Sequence, residues 1–155
     1  MIEIDKTRID LYLKMIYNQK YHFLKKLEID YPHIQGTFVV PPTFYTVEVL
    51  DHLSDVEAQL CLNQLAYIGF MEAIKNKQIL SLNSAGAKRI SYGAAIIGKS
   101  EKKFKGIIDP SKEIHGVLNA KRIFNLEEKI IALTHFDLEN GKCTGKLNIT
   151  LVKKK

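Results

Sequence analysis

The pattern of apolar and polar positions divides the chain into a short helical front, one exceptional helix and a long run of strands. Residues 5 to 18 carry Ile9, Leu11, Leu13, Ile16 and Tyr17 between polar residues, the spacing of a short amphipathic helix. Tyr21 to Ile29 reads as a strand. Gly36 to Val40 gives a second apolar run, ended by Pro41-Pro42, because proline cannot donate to a ladder. A loop through Phe44 and Tyr45 leads towards Asp51.

The strongest helix signal comes next. Ser54-Asp55-Val56-Glu57 has the form of a capping box, in which the serine hydroxyl accepts from the amide of Glu57 and the glutamate reaches back to the amide of Ser54. Asp55 and Glu57 also suit the positive end of the helix dipole. The pattern predicts a helix over 54–75, with apolar residues on nearly every face. Such a helix is surrounded by protein rather than lying on its surface. After a Ser/Asn/Gly-rich segment at 81–86, strands are predicted from Ser91 to Lys99 and on towards Ile108, Glu113 to Phe124, Lys129 to Leu138, and Lys142 to Val152. Glu139-Asn140-Gly141 is a hairpin signal between the last two.

One long buried helix followed by antiparallel strands makes an α+β architecture. The economical way to bury that helix is to wrap a curved sheet round it, as in the hot-dog fold; another α+β sandwich with the same element order is the alternative. Neither repeats nor linker-like composition divide residues 1–155, so one domain is expected, ending in a basic tail at 153–155.

Composition narrows the picture only in places. A chain that is 46% hydrophobic and 26% charged is ordinary for a globular protein. No run of about 18 apolar residues occurs, so no helical membrane span is expected. The opening MIEIDKTRID lacks the apolar centre of a secretory signal, which makes the cytoplasm the expected compartment. Cys61 and Cys143 match no metal-ligand spacing and read as free thiols. The net charge of +6 invites a nucleic-acid reading, yet there is no helix-turn-helix, RNP-like motif or zinc module to carry one. Its one internal cluster, Lys99, Lys102, Lys103 and Lys105, serves equally for a phosphate-bearing carrier or an acidic carrier protein.

The candidate chemistry gathers round the long helix. The unpaired amides near Ser54, Asp55 and Val56 could face a developing oxyanion. Asn63 sits among residues that would otherwise be core, either to satisfy a buried backbone group or to meet a ligand. Glu57 is fully explained by its cap, with general base as a second reading. His52 precedes the helix, where it could bond a substrate carbonyl or make a structural hydrogen bond, and Tyr45 could donate its hydroxyl or pack its ring. The remaining histidines form no metal spacing, and neither a Gly-x-Ser-x-Gly elbow nor a Gly-rich phosphate loop is present.

Asp51-His52-Leu53-Ser54-Asp55-Val56-Glu57 followed by Cys61-Leu62-Asn63-Gln64-Leu65-Ala66-Tyr67 resembles the FcoT-like family of long-chain fatty acyl-CoA thioesterases. That family's helix has a Gly-His-Phe-Asn start, a glutamate, then Cys-x-Asn-Gln and a tyrosine three residues on. His52, Glu57, Cys61, Asn63, Gln64 and Tyr67 fall in register, and the likeness runs over roughly residues 36 to 110. The resemblance implies that Asn63 and Tyr45 act on the thioester, with a further tyrosine at Tyr17, or at Tyr12 or Tyr21. Asp51, Leu53 and Ser54 depart from the pattern; serine keeps the cap but loses an amide donor.

The resemblance therefore leads to an expected hydrolase of medium- or long-chain acyl thioesters carried by coenzyme A or an acyl-carrier protein. Tyr67, Asp55 and Val56 would line the substrate, and Lys102, Lys103 and Lys105 would meet its phosphates. No metal and no cofactor beyond the substrate's own coenzyme A or phosphopantetheine is called for. A homodimer or higher homo-oligomer is implied, with the site between subunits. A dehydratase or lyase on a carrier-bound acyl group is the runner-up, and a non-catalytic acyl-binding protein the third reading.

Overall fold

The computed structural model describes residues 1–82 and 90–153, and for residues 90–94 the backbone alone. The elements run β1 (Ile2–Ile4), α1 (Lys6–Ile16), β2 (Leu24–Asp30), β3 (His33–Phe38), α2 (Asp55–Lys75), β4 (Ile90–Phe104), β5 (Ile114–Asn125), β6 (Lys129–Leu138) and β7 (Cys143–Lys153). The strands form one antiparallel sheet in the order β1-β2-β3-β5-β6-β7-β4. Short β1 and long β4 are its two edges.

Helix α2 starts where the capping box places it. Ser54 Oγ accepts from the Glu57 amide at 3.3 Å, and Glu57 Oε2 accepts from the Ser54 amide at 2.9 Å. The preceding residue is pinned as well, since the Leu53 amide donates to the Ile108 carbonyl at 2.8 Å. Every residue from Gln64 to Ile74 is buried, as expected of a helix apolar on all sides. The helix lies hard against β2, β3 and β5. At Gly69 the approach is so close that an added Cβ would overlap Ile34 Cγ2.

The sheet meets the helix through the inward positions of each strand. Ile130, Ala132, Thr134, Phe136 and Leu138 alternate inward along β6, as do Cys143, Leu147, Ile149 and Leu151 on β7. Helix α1 is capped by Asp5, whose carboxylate accepts from the Thr7 amide at 2.9 Å. It is tied to α2 through the fully buried Glu72, which accepts from the Tyr12 hydroxyl at 2.6 Å and pairs with Arg8 Nε at 2.8 Å.

Several boundaries differ from the expectation. The segment at Tyr21 opens with a single 3₁₀ turn, Gln19–Tyr21, and pairs only from Leu24. Strand β3 begins at His33, because Tyr31 and Pro32 make a two-residue hairpin turn that the isolated proline did not signal. The pairing of β1 with β2 was not anticipated; three residues are too short to show a period. Of the expected basic tail, Lys153 belongs to the sheet: it ends β7, and its Nζ donates to Asn125 Oδ1 and the Leu126 carbonyl. Lys154 and Lys155 lie outside the described residues, as does most of the 81–86 segment. The hairpin expected at Glu139-Asn140-Gly141 is present, with φ of 51°, 53° and 87° at the three residues.

Strand β4 carries the feature that matters most for the site. Its pairing with β7 shifts between Ile97 and Lys99, a bulge at Gly98. Before the bulge Ala95 and Ile97 pack on the core; after it Ser100 and Lys102 turn to the helix, each bonding Gln59. The extra residue reverses which positions face inward.

Candidate active site

The expected site residues fall into two groups along α2. Tyr45, Ser54 and Glu57 meet at the helix N-terminus, whereas Asn63, Tyr17 and Tyr67 meet further along, on one cavity. Six residues of helix separate Glu57 from Asn63, about 9 Å of rise. Within one subunit these are two places.

At the N-terminus, Tyr45 Oη lies 2.7 Å from Ser54 Oγ. Burial, with the negative charge of Glu57 adding to it and the Ser54 hydrogen bond opposing it, raises the Tyr45 hydroxyl above the ordinary tyrosine range. The ring packs edge-on against Phe44, at 5.6 Å between centroids. Glu57 is buried and committed to the cap, and it lies close enough to Cys61 to add to the burial that holds that thiol protonated. Of the three amides expected at an oxyanion, that of Ser54 is already taken by Glu57; those of Asp55 and Val56 remain, at the exposed helix start. His52 is exposed and turned to its neighbour, its Nδ1 2.9 Å from Asp51 Oδ1, and is brought to neither group.

The second group lines a cavity of about 330 Å³ with Ile16, Ala95, Ile96, Ile97 and Ile149. That is at the lower end of ligand cavities. Asn63 lines it together with Tyr17 and Tyr67, and is half-buried rather than fully buried. Its neighbour Gln64 points elsewhere: fully buried, it accepts from the Phe23 and Leu24 amides at 3.1 and 3.0 Å and donates to the Tyr21 carbonyl. The adjacent amides thus divide the two readings open for a buried carboxamide. Gln64 completes the backbone at the start of β2, and Asn63 faces space.

Tyr17 arrives at the cavity because α1 ends at Ile16, leaving it as an extended cap residue. Burial, then the neighbouring Tyr67, raises its hydroxyl above the usual tyrosine range, so it stays a neutral donor at physiological pH. Tyr12 and Tyr21, the other residues that could have filled this role, are engaged elsewhere: Tyr12 with Glu72, Tyr21 edge-on to Phe44 at 5.1 Å. Tyr67 is buried, its ring edge-on to Tyr12 at 5.9 Å.

Two residues that sequence reasoning missed lie behind Asn63. Gln59 Nε2 donates to Asn63 Oδ1 at 2.7 Å, and Gln59 Oε1 accepts from Ser100 Oγ at 2.8 Å and from Lys102 Nζ. Gln59 precedes Asn63 by one turn, a spacing that could have flagged it; Ser100 is brought in by the bulge, which leaves no local signature. Lys102, only 11% exposed, also pairs with Asp55 at 3.3 Å. Lys103 points to the other face of the strand, and Lys105 lies just past the strand's end; both are exposed. No cluster of three or more His, Cys, Asp or Glu able to hold a metal occurs among the described residues.

A helix against a seven-stranded antiparallel sheet, with a donor-lined cavity between helix and edge strand, describes a hot-dog protein. The solved structure of a mutant of thioesterase PA1618 from Pseudomonas aeruginosa has this fold, with a TM-score of 0.59 at 10% identity, over 97% of this chain and 95% of that one. A mutant of the CurJ dehydratase scores 0.49 at 12% identity, over 97% of this chain and 48% of that one. No curated protein sequence matches the chain significantly. The family model of the FcoT-like thioesterase domain matches residues 12–151, and the chain belongs to that family. It is a thioester hydrolase. The hot-dog expectation is met, and no described helix is long and apolar enough to cross a membrane.

Proposed function

We propose that the protein hydrolyses medium- or long-chain fatty acyl thioesters, with the thioester carbonyl held at Asn63. The observation that carries this reading is the half-buried Asn63 amide on the wall of a cavity otherwise built from aliphatic residues and two tyrosines. The Asn63 N–H group and the Tyr17 hydroxyl polarise the carbonyl. Water adds to the carbon, and the charge that develops on oxygen is met by donors already in place. The tetrahedral intermediate collapses with cleavage of the C–S bond; the thiol leaves with a proton from the attacking water, and the acid is released. Among the described lining residues there is no carboxylate or imidazole, so rate comes from oxyanion stabilisation more than from a strong base.

Ile16, Ala95, Ile96, Ile97 and Ile149 favour an aliphatic acyl group. Exposed Lys103 and Lys105 are the members of the basic cluster left for the phosphates of coenzyme A or a carrier arm, since Lys102 is engaged inward and Lys99 pairs with Glu101. The outer edge of β4 is the seat for a second copy, which would bring a further surface to the cavity rim at Ile96. The Tyr45–Ser54 pair at the exposed helix start would then serve a neighbouring subunit's site. Thiol release from acyl-CoA and acyl-carrier thioesters of graded chain length, with the products identified by mass spectrometry, tests the proposal. Release of free acid that disappears in Asn63→Ala is expected; equal release by that variant overturns the role of Asn63.

A further inference from the structure

A carboxamide is oriented by what its neighbours can give and accept. Lys102 Nζ only donates, so the Gln59 atom it meets must be the oxygen; Ser100 Oγ donates to the same atom at 2.8 Å. Gln59 Nε2 is thereby turned to Asn63, where the donor finds Oδ1 at 2.7 Å. With Oδ1 committed, Asn63 presents Nδ2 on its remaining side, and Asn63 lines the cavity while Gln59 does not. Among the described residues no group accepts from that nitrogen. We infer that Lys102, Ser100 and Gln59 form a one-way chain of hydrogen bonds that fixes Asn63 with its N–H facing the substrate carbonyl. They are positioning residues, and the inference rests on the reading of Asn63 given above.

The cation at the head of the chain does more than choose an orientation. Each bond in a directed series polarises the next, so the charge on Lys102 makes the Asn63 N–H a better donor. Lys102 holds its place through Asp55, 3.3 Å away in the first turn of the same helix, and is largely shielded from solvent. The bulge at Gly98 is what delivers it. Were β4 to alternate without interruption from Ile97, Lys99, Glu101 and Lys103 would face the helix and Lys102 would face out.

The test turns on Gln59→Glu, which keeps the shape of the side chain and gives Lys102 a carboxylate partner, yet cannot donate. Asn63 must then rotate to donate to the new carboxylate, which puts its oxygen towards the substrate. The expected result is a fall in kcat of about 100-fold, the scale of one lost oxyanion donor, with KM within about threefold of wild type and no loss of thermal stability. Lys102→Arg, still a donor, should keep kcat within about threefold, while Lys102→Met should lose about tenfold. Wild-type kcat in Gln59→Glu, in a background where Asn63→Ala is inactive, overturns the relay and leaves the Asn63 reading standing.

A second readout needs no turnover. The side-chain ¹⁵N–¹H₂ signals of Asn63, identified by their absence from Asn63→Ala, should move in both Gln59→Glu and Lys102→Met. Unmoved signals overturn the relay whatever the activity. Moved signals in a protein that cleaves no acyl thioester support the relay and overturn the hydrolytic reading alone.

Discussion

Replacing Gln64 by leucine strips the start of β2 of the group that completes it. The Phe23 and Leu24 amides both donate to Gln64 Oε1, at 3.1 and 3.0 Å, and both residues are essentially inaccessible to water. The Tyr21 carbonyl loses its partner too, but Tyr21 is only half-buried and can recruit a water. Two buried N–H groups left unmade cost about 1–3 kcal/mol each. Set against roughly 1 kcal/mol gained by an apolar side chain in an apolar site, the variant should lose about 3 kcal/mol. For a chain of this length that lowers Tm by about 6–12 °C. Urea denaturation followed by circular dichroism measures it, with Asn63→Leu as the companion. Asn63 is half-buried and, among the described residues, its side chain is bonded to Gln59 alone. Its leucine variant should therefore stay within about 1 kcal/mol of wild type while losing thiol release. A Gln64→Leu loss below about 1 kcal/mol, or a larger loss at Asn63 than at Gln64, would refute the division of labour between the two amides.

Three further outcomes are expected. Ser54→Ala should cost about 1 kcal/mol in urea denaturation through the lost cap, and wild-type stability would show that Glu57 holds the helix start alone. Gly145→Ala should destabilise by about 1–3 kcal/mol, because an added Cβ would overlap the Glu101 backbone oxygen; no change would mean that β4 slides freely on β7. Burial raises the hydroxyls of Tyr17, Tyr31 and Tyr45, so their neutral forms are favoured in the folded state; this contribution is complete below the ordinary tyrosine pKa of about 10 and is lost as pH rises through the folded values. Tm should therefore fall above about pH 10, and Tyr17→Phe should blunt the fall; an equal fall in that variant would remove Tyr17 from the account.

What the sequence made legible was chemistry of short range. The capping box at Ser54 and Glu57 spans three residues and was readable as such, as was a helix too apolar to lie on a surface. The Asn63-Gln64 pair was visible as an anomaly, but not which amide served the backbone: adjacent helical positions point about 100° apart, and only the packed sheet says which direction is open. Tyr12, Tyr17 and Tyr21 were alternatives for the same reason; the fold sets Tyr12 on the buried Glu72 and, with α1 ending at Ile16, brings Tyr17 to the cavity. Lys102 looked like one of several surface cations. Its inward turn depends on the pairing of β4 with β7, a strand distant in the chain, and on a bulge without local signature.

That bulge gives the protein something an unbroken strand would not: two separately adjustable halves. Ala95, Ile96 and Ile97 line the cavity, while Ser100 and Lys102, past Gly98, bond Gln59 and through it Asn63. Side chains in the first half can be exchanged for larger or smaller ones without altering which residues of the second half face the helix. Removing one residue at Gly98 would do the reverse, leaving the cavity wall in place and reversing the polar set behind it. For anyone reshaping this cavity, β4 is a ruler with a joint in it, and the joint keeps changes in the wall from turning the polar residues away from the helix.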